Sequence, residues 1–138
     1  MIGRCLAAPL ALLLALAAGP VRACGDQWGA QARRIDAAQV QLAYRLLPDP
    51  VPVGRHFAID IVVCPKDATP LPAALRVDAT MPEHKHGMNY QPSVKSLSPG
   101  QYRAEGLLFH MPGRWELVFE LRDRSGTPQR LTQSLQVG

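Results

Sequence analysis

Trp115-Glu116-Leu117-Val118-Phe119-Glu120-Leu121 is the stretch that decides the fold class. Trp115, Leu117, Phe119 and Leu121 fall on odd positions, and Glu116 and Glu120 fall between them. A period of two places successive side chains on opposite faces, so this is a strand with one face in a core and one toward water. Val40, Leu42, Tyr44 and Leu46 repeat the pattern upstream, as do Phe57, Ile59, Ile61 and Val63, and then Leu75, Val77 and Ala79. Further strands are expected at about 84–91, at Tyr102–Phe109 and at Leu131–Val137, with Ser93–Gly100 as a turn. Prolines recur from Pro48 to Pro128, and helix interiors exclude them. About seven short strands at regular spacing predict an all-β, immunoglobulin-like β-sandwich.

The chain ahead of these strands reads differently. Arg4 precedes Leu6–Ala18, an apolar run with six leucines and no charge, and Val21-Arg22-Ala23 follows. That is the pattern of a cleaved secretory signal over residues 1–23. The run is short for a bilayer span, which takes about 20 apolar residues, and no later segment approaches that length. The expectation is a periplasmic or secreted protein that is not integral to the membrane. Residues 24–38 form an N-terminal arm, and 39–138 the sandwich domain. The chain carries a net charge of +4 from 15 basic and 11 acidic side chains, and removing Arg4 and Arg22 with the leader halves it. No basic run interleaved with aromatics points to nucleic acid.

Export also bears on the cysteines. Cys5 leaves with the leader, and Cys24 and Cys64 remain. An even pair in a small exported domain reads first as a disulfide. Closing a loop of about 40 residues stabilises by about 4 kcal/mol in the chain-entropy account. Cys24 is also the first mature residue, and Val-Arg-Ala-Cys is a distorted lipoprotein box with Arg22 as the misfit, so a lipid anchor is the rival fate. Two metal-binding thiols are a third reading, weakened by the absence of a C-x-x-C partner.

The soft metal donors of the mature chain are not scattered. Met81, His84, His86 and Met88 lie in Met-Pro-Glu-His-Lys-His-Gly-Met, and His110 and Met111 are adjacent. His56 alone stands apart and reads as a surface histidine. In an extended segment His84, His86 and Met88 share one face. A hairpin turning at Ser93–Gly100 would set His86 opposite about residue 107 and gather both clusters. Thioether sulfur is soft and suits Cu(I), and imidazole suits Cu(I), Cu(II) and zinc. Such donors avoid the disulfide formation that threatens thiols outside the cytoplasm. Methionine is a poor zinc ligand, while Glu83 keeps zinc or Cu(II) open. The competing reading is packing: Met81 continues the apolar face of Leu75, Val77 and Ala79, and Met111 fills a rim beside Pro112-Gly113.

The Met-Pro-Glu-His-Lys-His-Gly-Met stretch is followed by Gly100-Gln-Tyr102 and by His110-Met-Pro-Gly-Arg-Trp115. In this combination the chain resembles the YtkA-like domain family over about residues 38–138. The resemblance implies a small exported immunoglobulin-like sandwich, akin in fold to CopC-type copper-resistance proteins, with copper handling as its role. Its matching candidate ligands are Met81, His84, His86, Met88, His110 and Met111. The expected mature N-terminus is Cys24 rather than histidine, which argues against a CopC-type Cu(II) site and against a copper monooxygenase. The functional expectation is a copper carrier, buffer or assembly chaperone, with Cu(I) favoured and an envelope metal donor or acceptor as partner. The alternative is an envelope protein-interaction module that binds no metal. No triad, phosphate loop or cofactor motif marks an enzyme.

Overall fold

The computed structural model describes residues 22–138. The expected leader lies outside the described residues except for Arg22 and Ala23. Nine strands follow in order: β1 (Arg33–Asp36), β2 (Val40–Leu47), β3 (His56–Pro65), β4 (Ala74–Met81), β5 (His86–Gly87), β6 (Ser93–Ser98), β7 (Gln101–Leu108), β8 (Gly113–Arg122) and β9 (Pro128–Val137). They form two antiparallel sheets, β1-β2-β3-β7-β6 and β5-β4-β8-β9. No described helix is long and apolar enough to cross a membrane.

The decisive stretch is the middle of β8, which is flanked by β4 and β9. Its odd-numbered residues are buried, with Trp115, Leu117 and Phe119 fully so. They meet Leu42, Tyr44, Ile59 and Ile61 from the facing sheet in one apolar core. The tilted ring contact of Tyr44 with Phe119, 5.1 Å between centroids, crosses the two layers. The period-two pattern therefore has the cause inferred from it: one face of each long strand is withdrawn from water.

The strand count exceeds the expected seven because two edge strands are hard to read. Arg33–Asp36, assigned to the arm, pairs with β2 from Arg33↔Tyr44 to Asp36↔Gln41. Ser93–Ser98, assigned to a turn, is a strand paired with β7 from Ser93↔Glu105 to Ser98↔Gln101. The expected hairpin is corrected accordingly. It is β6 that lies against β7, and the 84–91 region contributes only the two-residue β5, which pairs with β4.

The start of the domain is fastened to the outer face of the larger sheet. A disulfide joins Cys24 to Cys64 of β3 across 40 residues of sequence. A sulfur in that bridge is not available to a lipid thioether. The short 3-10 segment Asp26–Gln31 follows. Gly25, at φ 80°, lies so close that any side chain there would collide with Ala43. Trp28 then sits 5.4 Å from the guanidinium of Arg45.

Candidate metal centre

The donor cluster lies at one end of the sandwich, and its arrangement starts with a tight reversal after β4. Met81 leads into the single 3-10 turn Pro82–His84, where Pro82 supplies a φ already suited to the first helical position. Lys85 takes a left-handed conformation at φ 55° and closes the turn. The chain then runs back along β4, with His86 beside Met81 and Gly87 beside Thr80. Glycine suits that return, because a Cβ at Gly87 would stand 3.2 Å from the Ala79 carbonyl oxygen. The Met88 N–H donates to the same oxygen at 3.1 Å.

His84 is thus in a turn rather than in one extended run with His86 and Met88. Its ring nevertheless lies 5.7 Å from that of His86. His110 comes from the connection between β7 and β8, and its ring centroid is 5.1 Å from His86. The two stretches meet through the pairing of β4 with β8, which carries Thr80 opposite Glu116.

Trp115 completes the cluster, and sequence reasoning had placed it only in the core. Its indole stands edge-on to His86 at 6.0 Å and to His110 at 5.3 Å. The indole N–H donates to the Met111 carbonyl at 3.0 Å. The tryptophan of the Met-Pro-Gly-Arg-Trp stretch was the available signal, since its spacing from His110 is fixed by the tight connection.

The remaining candidates divide. Met81 is 1 % exposed and belongs to the core, where its terminal methyl fills the space beside Gly113. Met88 and Met111 are half-buried and pack against that core from the rim. His56 is drawn off toward Tyr90, 5.0 Å away. The Glu83 carboxylate is occupied by an exposed ion pair with Arg114 at 3.1 Å.

Two observations bear on whether these groups suit a metal. A proton on His86 Nδ1 is donated to the Gly87 carbonyl at 3.2 Å, and this tautomer leaves Nε2 with its lone pair. The Nδ1 atom of His110 is buried without any hydrogen-bond partner. A buried polar atom left unpaired costs about 1–3 kcal/mol, so such an atom calls for an explanation. An imidazole nitrogen holds its metal at about 2.0 Å, which limits two ligating rings to roughly 6 Å between centroids. His86 lies within that limit of both His84 and His110. Among the described residues, no three His, Cys, Asp or Glu side chains stand ready to hold one ion together. The arrangement therefore offers neighbouring imidazoles on segments that also carry the half-buried Met88 and Met111, residue types that suit a soft ion better than an ordinary zinc site.

An immunoglobulin-like sandwich with three histidines ring against ring beside Trp115 defines the class. The chain belongs to the YtkA-like family, whose match spans residues 36–120. Among solved structures it is similar to a DUF4426 family protein from Pseudomonas aeruginosa PAO1, at 10% identity and a TM-score of 0.56. That alignment covers 79% of this chain and 96% of the other. At that identity the likeness is one of fold. No curated protein matches the chain.

Proposed function

We propose that this protein is exported and binds copper outside the cytoplasm, taking Cu(I) at the end of its sandwich and passing it to an acceptor protein in the envelope. His86 is the central ligand, joined by His110 or His84, with Met88 and Met111 as the thioethers at the rim. The observation that carries the reading is the orphaned Nδ1 of His110 beside a His86 ring whose Nε2 is left free. Imidazole and thioether together favour the cuprous ion, and neither needs a reducing compartment. Met81 serves as packing. The protein acts as carrier, buffer or assembly chaperone and not as an enzyme.

The test is a titration of residues 24–138, without a histidine tag, with Cu(I) against a competing chelator under anaerobic, thiol-free conditions. Parallel runs use Zn(II) and Cu(II). One Cu(I) per chain at ~nanomolar affinity, with zinc far weaker, is the expected result. Binding no tighter than ~millimolar removes the site.

A further inference from the structure

We infer that Pro82–Pro92 is a strap closed by the metal, so that loading the site fixes this segment against the rest of the domain. The inference rests on the copper reading and adds the regulation of the same site.

The donors are divided between two supports of unequal firmness. His110 and Met111 sit on a connection anchored from both sides. Phe109 is fully buried and its carbonyl accepts the Gly54 N–H at 2.8 Å, while the Met111 carbonyl accepts the Trp115 indole N–H at 3.0 Å. His84, His86 and Met88 sit on the strap. No residue from 82 to 92 is buried. The strap is held by two ladder pairs to β4, by the Met88 N–H on Ala79, by the turn closure from the Lys85 N–H to Pro82, by the exposed Glu83–Arg114 pair, and by three side chains at its inner edge: half-buried Met88 on the core, Tyr90 on His56 and His86 on Trp115. Segments with little buried surface and few backbone bonds open at a small fraction of the global unfolding free energy. An ion bonded to both His86 and His110 ties the strap to the firm support and opposes that opening through linkage.

The far end of the strap gives the closure a surface to act on. Gln91 and Pro92, with Val94 of β6, line a groove whose other side is Leu75–Asp78 of β4. The ladder with β5 covers only Thr80 and Met81, so Leu75–Asp78 has a strand partner on one side alone. Fixing the strap fixes the Gln91–Pro92 part of that lining beside the already paired Val94, and empty and loaded molecules then differ at a place where an acceptor can distinguish them.

Hydrogen exchange of residues 24–138, read by mass spectrometry with and without one equivalent of Cu(I), tests this. Exchange over 83–91 slows by roughly tenfold or more on loading, with little change in β2, β3 and β9. In His110→Leu the slowing falls below about twofold while the core strands keep their protection. His110→Gln, which keeps a polar group at that position, serves the same comparison if the leucine variant does not fold. Stoichiometric Cu(I) binding with unchanged exchange in the strap overturns the strap and leaves the copper site standing. Equal slowing over both sheets also overturns it, because global stabilisation then accounts for the effect. Absence of Cu(I) binding overturns both.

Discussion

Two polar clusters in this molecule gather residues from distant parts of the chain, and they are finished differently. On the outer face of the larger sheet, Arg45, Asp60 and Arg103 stand side by side across β2, β3 and β7. Asp60 is buried and receives four hydrogen bonds, two from each arginine. At the end of the sandwich, three imidazoles stand ring against ring, and one of their nitrogens is buried with nothing to bond. The first cluster is complete within the protein and reads as structure. The second leaves one buried nitrogen unpaired, as the core does at the Tyr44 hydroxyl, and the proposed copper site would account for the nitrogen. Stability and binding should therefore separate cleanly between the two regions.

The largest stability effect is expected on the outer face of the larger sheet. Replacing both Cys24 and Cys64 with alanine removes a bridge that spans 40 residues, and is expected to cost about 4 kcal/mol in chemical denaturation. Cu(I) affinity should change by less than about threefold, because the bridge lies on the outer face, away from the imidazoles. A large loss of affinity would show that the two regions are not independent. Met81 comes next and sharpens the boundary between core and site. It is fully buried, so Met81→Ala is expected to destabilise by about 3 kcal/mol. Retained Cu(I) affinity in that variant would assign Met81 to packing, and a lost site would return it to the ligand set.

Asp60→Asn probes the completed cluster directly, with an expected loss of about 2 kcal/mol at neutral pH. Burial alone would raise the Asp60 pKa, but the hydrogen bonds from Arg103 and Arg45 and their charges outweigh it and hold the carboxyl below its usual range. The sign of the linkage follows. Its contribution is present above the unfolded carboxylate value of about 3.9 and is lost as the pH falls through the lower folded value. The stability gap between parent and variant should therefore narrow in acid. A gap independent of pH would mean that shape, not charge, makes Asp60 matter.

The same contrast explains what was legible in the sequence. β8 could be read because it is flanked on both sides and has one face in the core, which forces alternation from Trp115 to Leu121. β1 and β6 escaped because they are edges: Ile35 and Val94 are only partly buried, and the residues beside them are charged or polar. The donor cluster was legible as composition and not as geometry. A hairpin between 84–91 and β7 was the natural guess from spacing, yet Pro82 and Lys85 turn the chain straight back onto β4. The clusters meet all the same, because β4 and β8 are neighbours and His110 lies three residues ahead of β8. Long-range strand order decided the outcome, and no local pattern encodes it. The closure around Asp60 was hidden for the same reason, since it joins positions 45, 60 and 103 through strand register alone.

The smallest effect on stability is expected where the effect on binding is greatest. His110→Leu replaces an imidazole whose Nδ1 is buried and unpaired by an apolar side chain of similar bulk. Removing an unsatisfied polar atom relieves its desolvation penalty, so the variant should lie within about 1 kcal/mol of the parent and on its stable side. The same substitution takes away one of the two imidazoles that approach to 5.1 Å, and Cu(I) affinity should fall by at least about a hundredfold. Equilibrium denaturation and chelator competition on one preparation measure both quantities. If the variant proved strongly destabilised, Nδ1 would have to be satisfied in solution, and His110 would belong with Asp60 as a finished structural group. If it were stable and still bound Cu(I) tightly, His84 and His86 would be the working pair, and the difference between the two regions would lie in the strap alone.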